Sequence, residues 1–147
     1  MSNSDKFTFI PSVYLILDSE KMVLLSRRFR TGFEDGNYGL VSGHLEGKET
    51  LREAMSREAR EEVDIVIKPD DLKHVLTMHR WCGDHERIDF FFTCKKYDGE
   101  IQNAEPDKCD DLHWFKISDL PDNTIPYIRE AINCYVTGKQ YSEFCWS

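Results

Sequence analysis

Apolar positions along the chain fall into two kinds of run. Val13 to Leu17 is a short, nearly continuous apolar segment, and a second follows from Met22 to Leu25 after the polar turn Asp18-Ser19-Glu20-Lys21. Unbroken apolar runs of this length read as strands covered on both faces, and the turn between them predicts a hairpin. Gly32 to Gly39 reads as a glycine-containing loop. Further strands are expected at Leu72 to Met78, Arg87 to Cys94 and Leu112 to Phe115, with Cys82-Gly83-Asp84 and Tyr97-Asp98-Gly99 among the turns that separate them. Two segments carry helical spacing instead. Thr50 to Val63 opens on Thr50 with Glu53 three residues on, the arrangement of a capping box. From Thr124 to Val136, Ile125, Ile128, Ile132 and Tyr135 recur at helical intervals, with Pro126 in the tolerated first turn and Gly138 as a stop. The order of strands, helix, strands, helix predicts an α/β domain with a mixed sheet between helices.

Composition narrows the setting. The 147 residues suffice for a single domain, expected to span 1–147, and contain no internal repeat or long linker. A formal charge of −8 disfavours non-specific attraction to nucleic-acid backbones, so an acidic ligand would need some other neutralising agent. The five cysteines are scattered with no C-x-x-C pair, which argues for reduced thiols rather than a disulfide framework or zinc site. No apolar run approaches the roughly 18 residues of a membrane span, and MSNSDK does not read as a secretory signal. The expectation is a cytoplasmic protein without a membrane partner, monomeric or homodimeric.

The first helix carries the chemistry. At about 100° per residue, Leu51, Ala54, Met55 and Ala59 share one side, while Glu53, Arg57 and Arg60 point away. Glu58 and Glu62 fall within the apolar sector and Glu61 at its margin, so three carboxylates are expected to converge on the body of the protein. A Glu-rich helix is ordinarily a solvated face. Carboxylates turned toward an apolar sector instead repel one another and resist desolvation unless cations or protons compensate. Mg2+ suits that need, because it takes oxygen ligands and often joins one or two carboxylates to substrate phosphates. A calcium-binding loop is excluded by spacing, since the acids lie on a helix rather than alternating along a twelve-residue loop.

Gly43 to Ile65, GHLEGKETLREAMSREAREEVDI, resembles the Nudix box, G-x5-E-x7-R-E-U-x-E-E-x-G-U with U a bulky apolar residue. Gly43, Glu49, Arg57, Glu58, Glu61, Glu62 and Ile65 match at the required spacing. Ala59 is smaller than the pattern prefers, and Asp64 replaces its last glycine. A glycine there would admit a left-handed turn, a conformation Asp tolerates better than most residues, so the turn is expected to survive. Val41-Ser42-Gly43 also departs from a common family version with two glycines before the box. The resemblance implies a Nudix-type α/β/α sandwich with a central mixed sheet. It further implies that Glu58 and Glu62 are the principal metal ligands, with Glu61 ligating metal or helping to activate water. Ser42 would offer a backbone carbonyl, and Arg57 and Glu49 would form an orienting ion pair. A further acid in the family comes from a later loop; Glu105 is the best candidate, with Glu100, Asp110 and Asp111 open.

The reaction so implied is metal-assisted attack of water on a phosphoanhydride of a nucleoside diphosphate derivative, with Mg2+ or Mn2+. Glu61, Glu62 and Glu105 are the acids placed at its centre, and either Glu61 or Glu105 would receive the water proton. Arg27, Arg28 and His44 are candidates for phosphate contact, and Tyr38 and Trp81, with Phe33 and Phe90, for stacking on a base, although aromatics in strands are more often core. Family members specialised for ADP-ribose or dinucleoside polyphosphates often carry proline or tyrosine some fifteen to eighteen residues after the box. That window here is Arg80-Trp81-Cys82-Gly83, which leaves a small nucleoside triphosphate, standard or damaged, as the default substrate. Nucleotide sugars, coenzymes and RNA 5′ ends would use the same helix. The competing class is a non-catalytic Nudix-fold module that binds nucleotides or a protein; intact Glu58, Glu61 and Glu62 count against it.

Overall fold

The computed structural model describes residues 5–147. Strand β1 (Ile10–Leu15) lies inside a mixed sheet, antiparallel to β5 (Val41–His44) and parallel to β7 (Glu86–Thr93). The sheet continues through β6 (Lys73–Trp81), antiparallel to β7, to β9 (Tyr141–Phe144), parallel to β6. A second, antiparallel sheet joins β2 (Asp18–Ser19), β3 (Met22–Arg28) and β4 (Tyr38–Gly39), with β8 (Cys109–Lys116) on β3. Helices α1 (Leu51–Val63) and α2 (Pro126–Thr137) complete the fold.

The apolar run of β1 is explained by its two covered faces. Val13, Leu15 and Leu17 pack with Ala54, Met55, Ala59 and Val63 of α1. Tyr14 and Ile16, alternating with them, pack with Ile128, Ala131 and Ile132 of α2. Side chains of successive strand residues point to opposite faces, so one sheet divides the core into two halves, each closed by a helix. The expected α/β/α sandwich with a mixed sheet is the architecture observed.

Local chemistry sets the helix ends. The Thr50 side chain accepts from the Glu53 N–H at 3.1 Å and Glu53 returns the contact to the Thr50 N–H at 2.8 Å, completing the capping box. Asp64 ends α1 in the left-handed conformation at φ 58°, as the departure from glycine allowed, and its side chain accepts from Gln102 Nε2 at 2.6 Å. Pro126 opens α2, and Gly138 closes it at φ 77°.

Two expectations need correcting. Val13 to Leu17 and Met22 to Leu25 do not form a simple hairpin: Ile16 still donates to Phe92 of the first sheet, whereas Leu17 accepts from Leu24 of the second. Only Asp18 and Ser19 pair with Val23 and Met22 as hairpin partners. A continuous apolar run is equally satisfied by a strand that changes sheets, and periodicity does not tell the two apart. The chain crosses back between β4 and β5, around Leu40, inside and beyond the segment expected to be a loop. Strand β9 was not foreseen; its four residues, YSEF, carry too little periodicity to announce a strand.

One charged pair is sealed in the α2 half of the core. Arg80 Nε donates to Asp89 Oδ2 at 2.5 Å, with the two side chains 8% and 0% exposed. The guanidinium sits 3.6 Å from the centroid of the Tyr127 ring, whose hydroxyl meets that of Tyr14 at 3.0 Å. Removing one partner of such a pair strands the other charge without solvent. Arg80→Ala should therefore lower unfolding free energy in urea by about 3–5 kcal/mol, and Arg80→Met combined with Asp89→Leu should recover most of the loss.

Candidate active site

The site forms where the two sheets part. At the β4-to-β5 crossing a cavity of about 180 Å3 opens, bounded by Ser26 and Arg28 of β3 on one side and by Ser42, Glu58 and Glu62 on the other. Helix α1 lies so close to β5 that a side chain on Gly43 would meet the Glu58 carboxyl carbon at 2.1 Å. The bare glycine leaves Glu58 lying directly over the β5 backbone, in space that a side chain would contest.

The cavity's third acid arrives on a loop stitched to the end of α1. Gln102 N–H donates to the Val63 carbonyl at 3.1 Å and Ala104 N–H to that of Glu62 at 3.0 Å, satisfying acceptors that a helix C-terminus leaves open. Asn103 then bonds the Glu105 N–H at 3.1 Å, and Glu105 faces the same cavity as Glu58 and Glu62. Among the other acids considered, Asp110 pairs with Arg27 at 2.7 Å, Asp111 accepts from the Tyr38 hydroxyl, and Glu100 is exposed.

Electrostatics of the acids follows from this crowding. Glu62 opens onto the cavity, yet its carboxyl sits deep among protein atoms. Burial, then the neighbouring charge of Glu58 and, further down, that of Glu105, hold it well above the ordinary carboxylate range. The Ser42 N–H, at 3.3 Å, favours its charged form only weakly. Burial also raises Glu58, although Arg57 Nη1 at 2.7 Å opposes the shift. Arg57 does not point away as the helical wheel suggested. It folds back over the loop before α1, bonding Glu49 at 2.8 and 3.1 Å and the His44 carbonyl at 3.1 Å. That partnership holds Glu49 below the usual carboxylate range.

The three box acids therefore do not converge as the wheel implied. Glu58 is 13% exposed at its side chain, whereas Glu61 is 51% exposed and reaches only Arg57, at 3.4 Å. Among the described residues, no three His, Cys, Asp or Glu side chains cluster tightly enough to hold a metal ion by themselves. A hard cation nevertheless fits what is present. Glu62 is crowded by like charge, and two adjacent carboxylates beside an open cavity suit an ion that takes its remaining ligands from backbone, water or substrate phosphate.

Of the other candidates, Arg28 lines the cavity, with its guanidinium 5.4 Å from the Phe33 ring centroid. His44 follows Ser42 on the same face of β5 and meets Arg87 Nη1 at 3.0 Å. Burial, then the charge of Arg87, push its imidazole below the ordinary value. Arg27, Tyr38 and Trp81 lie outside the cavity lining. Arg27 is spent on Asp110; Tyr38 is buried against Phe115; Trp81, at the end of β6, packs beside Trp146 with ring centroids 5.9 Å apart. Phe90 packs on the α1 side of the core. Sequence reasoning missed Asn103 and Lys108, which also line the cavity; Asn103 accepts from the Glu105 N–H and Lys108 reaches the Glu105 carboxylate at 3.8 Å.

A mixed sheet between two helices, with an acid-bearing helix pressed on a glycine strand beside a phosphate-sized cleft, defines the class of Nudix-type α/β/α sandwich proteins. Residues 8–133 match the NUDIX domain model, and the chain belongs to that family, the Nudix hydrolases. It is 30% identical over 111 residues to the NAD-capped RNA hydrolase NudC of Stutzerimonas stutzeri, covering 76% of this chain but 38% of that protein. It is 30% identical over 105 residues to the phosphatase NudJ of Escherichia coli (strain K12), covering 68% of this chain and 67% of the other. In fold it resembles the MutT NUDIX hydrolase of Burkholderia pseudomallei, with a TM-score of 0.77 and 23% identity over 86% of this chain and 97% of that one. No helix among the described residues is long and apolar enough to cross a membrane.

Two outcomes follow for the acids. A methyl group at Gly43 collides with the movable end of a side chain rather than with backbone, so Gly43→Ala should fold with its circular dichroism and melting temperature nearly unchanged while Glu58 is displaced. Mn2+ affinity measured by titration calorimetry should then fall by about tenfold or more. Glu62 carries the opposite signature. Because its pKa is raised in the folded state, ionisation disfavours folding once the pH passes the unfolded carboxylate value. Without divalent cations, Glu62→Gln should therefore be more stable than the parent at neutral pH. The difference should shrink as pH falls through the raised Glu62 value toward the unfolded one.

Proposed function

We propose that the chain is a metal-dependent hydrolase that cleaves a phosphoanhydride bond in a nucleoside diphosphate derivative, with a small nucleoside triphosphate, standard or damaged, as the substrate of first choice. The observation that carries this reading is the pairing of Glu58 with Glu62 at the mouth of a cavity, where crowding and burial call for a cation. Mg2+ or Mn2+, when bound, supplies neutralisation of phosphate oxygens and acidification of water. Glu58 and Glu62 would hold it, with the carbonyl of Ser42 as a backbone ligand.

The chain's own residues do the rest by position. Arg57, bonded to Glu49 and to the His44 carbonyl, keeps Glu58 from rotating out of the cleft. Glu105, on the loop tied to the last turn of α1, faces the cavity and would take the proton of an attacking water; Glu61 would do so only after leaving Arg57 and turning inward. Arg28 stands across the cavity from the acids and offers a guanidinium to the substrate's phosphates. On this reading residues 1–147 act as a single domain built around one cleft.

The test is release of phosphate or pyrophosphate from nucleoside triphosphates, and of two phosphomonoester products from nucleoside diphosphate derivatives and, given what NudC is named for, from NAD-capped RNA, each with Mg2+ or Mn2+. Wild type should turn over at least one class, and Glu62→Gln should lose most of kcat while remaining folded. Unchanged kcat in the variant at saturating Mg2+ would remove Glu62 from its role. No release across the panel, with nucleotides still bound, would make the chain a binding module.

A further inference from the structure

Helix α1 packs over β5 and β1, and the same face of the sheet runs on past it across β7, β6 and β9. Along β6, Met78 and Arg80 turn to the α2 half of the core, so His79 and Trp81, which alternate with them, turn to the α1 side. Ile88 of β7 is level with His79 on that face, and Tyr141 of β9 with Thr77. A chain of rings lies over these strands. Phe7 meets Phe9 with centroids 5.0 Å apart, Phe9 meets His79 at 5.5 Å, and His79 meets Trp146 at 4.6 Å. Phe7, Phe9, Trp81, Tyr141 and Trp146 are nevertheless 38% to 66% exposed.

The polar atoms within this patch are already matched. His79 Nε2 meets Glu86 Oε1 at 2.7 Å, the Tyr141 hydroxyl donates to Glu143 at 2.6 Å, and Trp146 Nε1 donates to the His79 carbonyl at 3.0 Å. The face thus presents ring surface and asks no charge of a partner. An apolar patch of that kind is complementary to its own copy across a twofold axis, whereas a charged one would repel it. Nucleic acid also stacks on exposed rings, but it needs cations along its path, and the charges level with the rings here are the carboxylates Glu86 and Glu143. Size agrees with a protein partner. The five rings leave on the order of 500 Å2 in water, at the upper end of what a lone chain exposes in one patch and over half of the roughly 800 Å2 each partner brings to a standard interface.

We propose that this aromatic face is a homodimer interface, in which the α1-side surface of β6 and β9 packs on the same surface of a second copy of the chain. The inference is independent of the hydrolase reading, since none of the five rings lines the cavity.

Sedimentation equilibrium of the full chain, with tryptophan emission followed on dilution, tests the interface. The wild type should sediment as two 17.3 kDa chains at micromolar concentration. Association should tighten as NaCl is raised, because the net charge of −8 on each copy opposes it and salt screens that charge. Emission should move to the red on dilution, as Trp81 and Trp146 return to water. Trp81→Glu and, separately, Phe9→Glu should each raise the dimer dissociation constant by about tenfold or more, with thermal melting as the check on folding. Phe9 stands outside the strands, so its variant reads the interface even if Trp81→Glu folds poorly. A single-chain mass at every concentration overturns the proposal, as does a dimer that a folded Phe9→Glu and a folded Trp81→Glu both leave intact. A monomer whose tryptophan emission is quenched by a single-stranded oligonucleotide would give the face to nucleic acid and overturn it as well.

Discussion

Everything in the site depends on how near helix α1 comes to strand β5. The Glu58 carboxyl occupies the space where a side chain on Gly43 would be, and Ala54, Met55 and Ala59 are fully buried in the contact between helix and sheet. Alanines on the helix and the bare Gly43 on the strand permit that approach. Its consequence is electrostatic. Carboxylates that water would otherwise separate are brought together against backbone, and the ionised pair becomes unfavourable unless a cation joins it. Packing and chemistry are thus one constraint: the apolar contact that stabilises the sandwich is the force that holds the acids in an unfavourable state.

The helices were legible in the sequence because their signals are local. Thr50 and Glu53, Pro126 and Gly138 act within a turn of where they stand, and each does in the structure what its position implies. The layer order was legible too, since an unbroken apolar strand such as β1 needs cover on both faces. The sheet partners of β1 were not, because pairing with β5 and β7 is decided by contacts 26 to 77 residues away along the register. The same limit applied at the site. Spacing put Glu58 and Glu62 on the side that meets the cavity, but it could not give the side-chain direction of Glu61, which is exposed and approaches Arg57 while Arg57 folds across to Glu49. Glu105 was told from Asp110 and Asp111 by partners distant in sequence: those two are engaged by Arg27 and Tyr38, whereas Glu105 sits on the loop bonded to the end of α1.

Charge is sorted along the chain in a way the net value of −8 conceals. Arg27, Arg57 and Arg80 neutralise acids that the fold has brought near them, and those pairs are structural. Arg28 is left lining the cleft, with the Phe33 carbonyl as the partner of its Nε. An acidic protein can in this way keep a local surface suited to anions without a basic patch, and with little pull on nucleic acid at long range.

The loop that carries Glu105 closes the carbonyls at the end of α1, so it and the helix are parts of one rigid body. Parting them would expose backbone acceptors at Glu62 and Val63 together with the Asp64 side chain. The opposite wall, β3, is bonded to the same loop: the Phe29 N–H donates to the Lys108 carbonyl at 3.0 Å, and Arg28 pairs in register with Cys109. The acids and the wall bearing Arg28 therefore belong to one connected frame, and the width of the cleft is set by backbone bonds rather than by side-chain packing. A bulkier ligand has to be accommodated where the frame ends, along the exposed segment around Phe33.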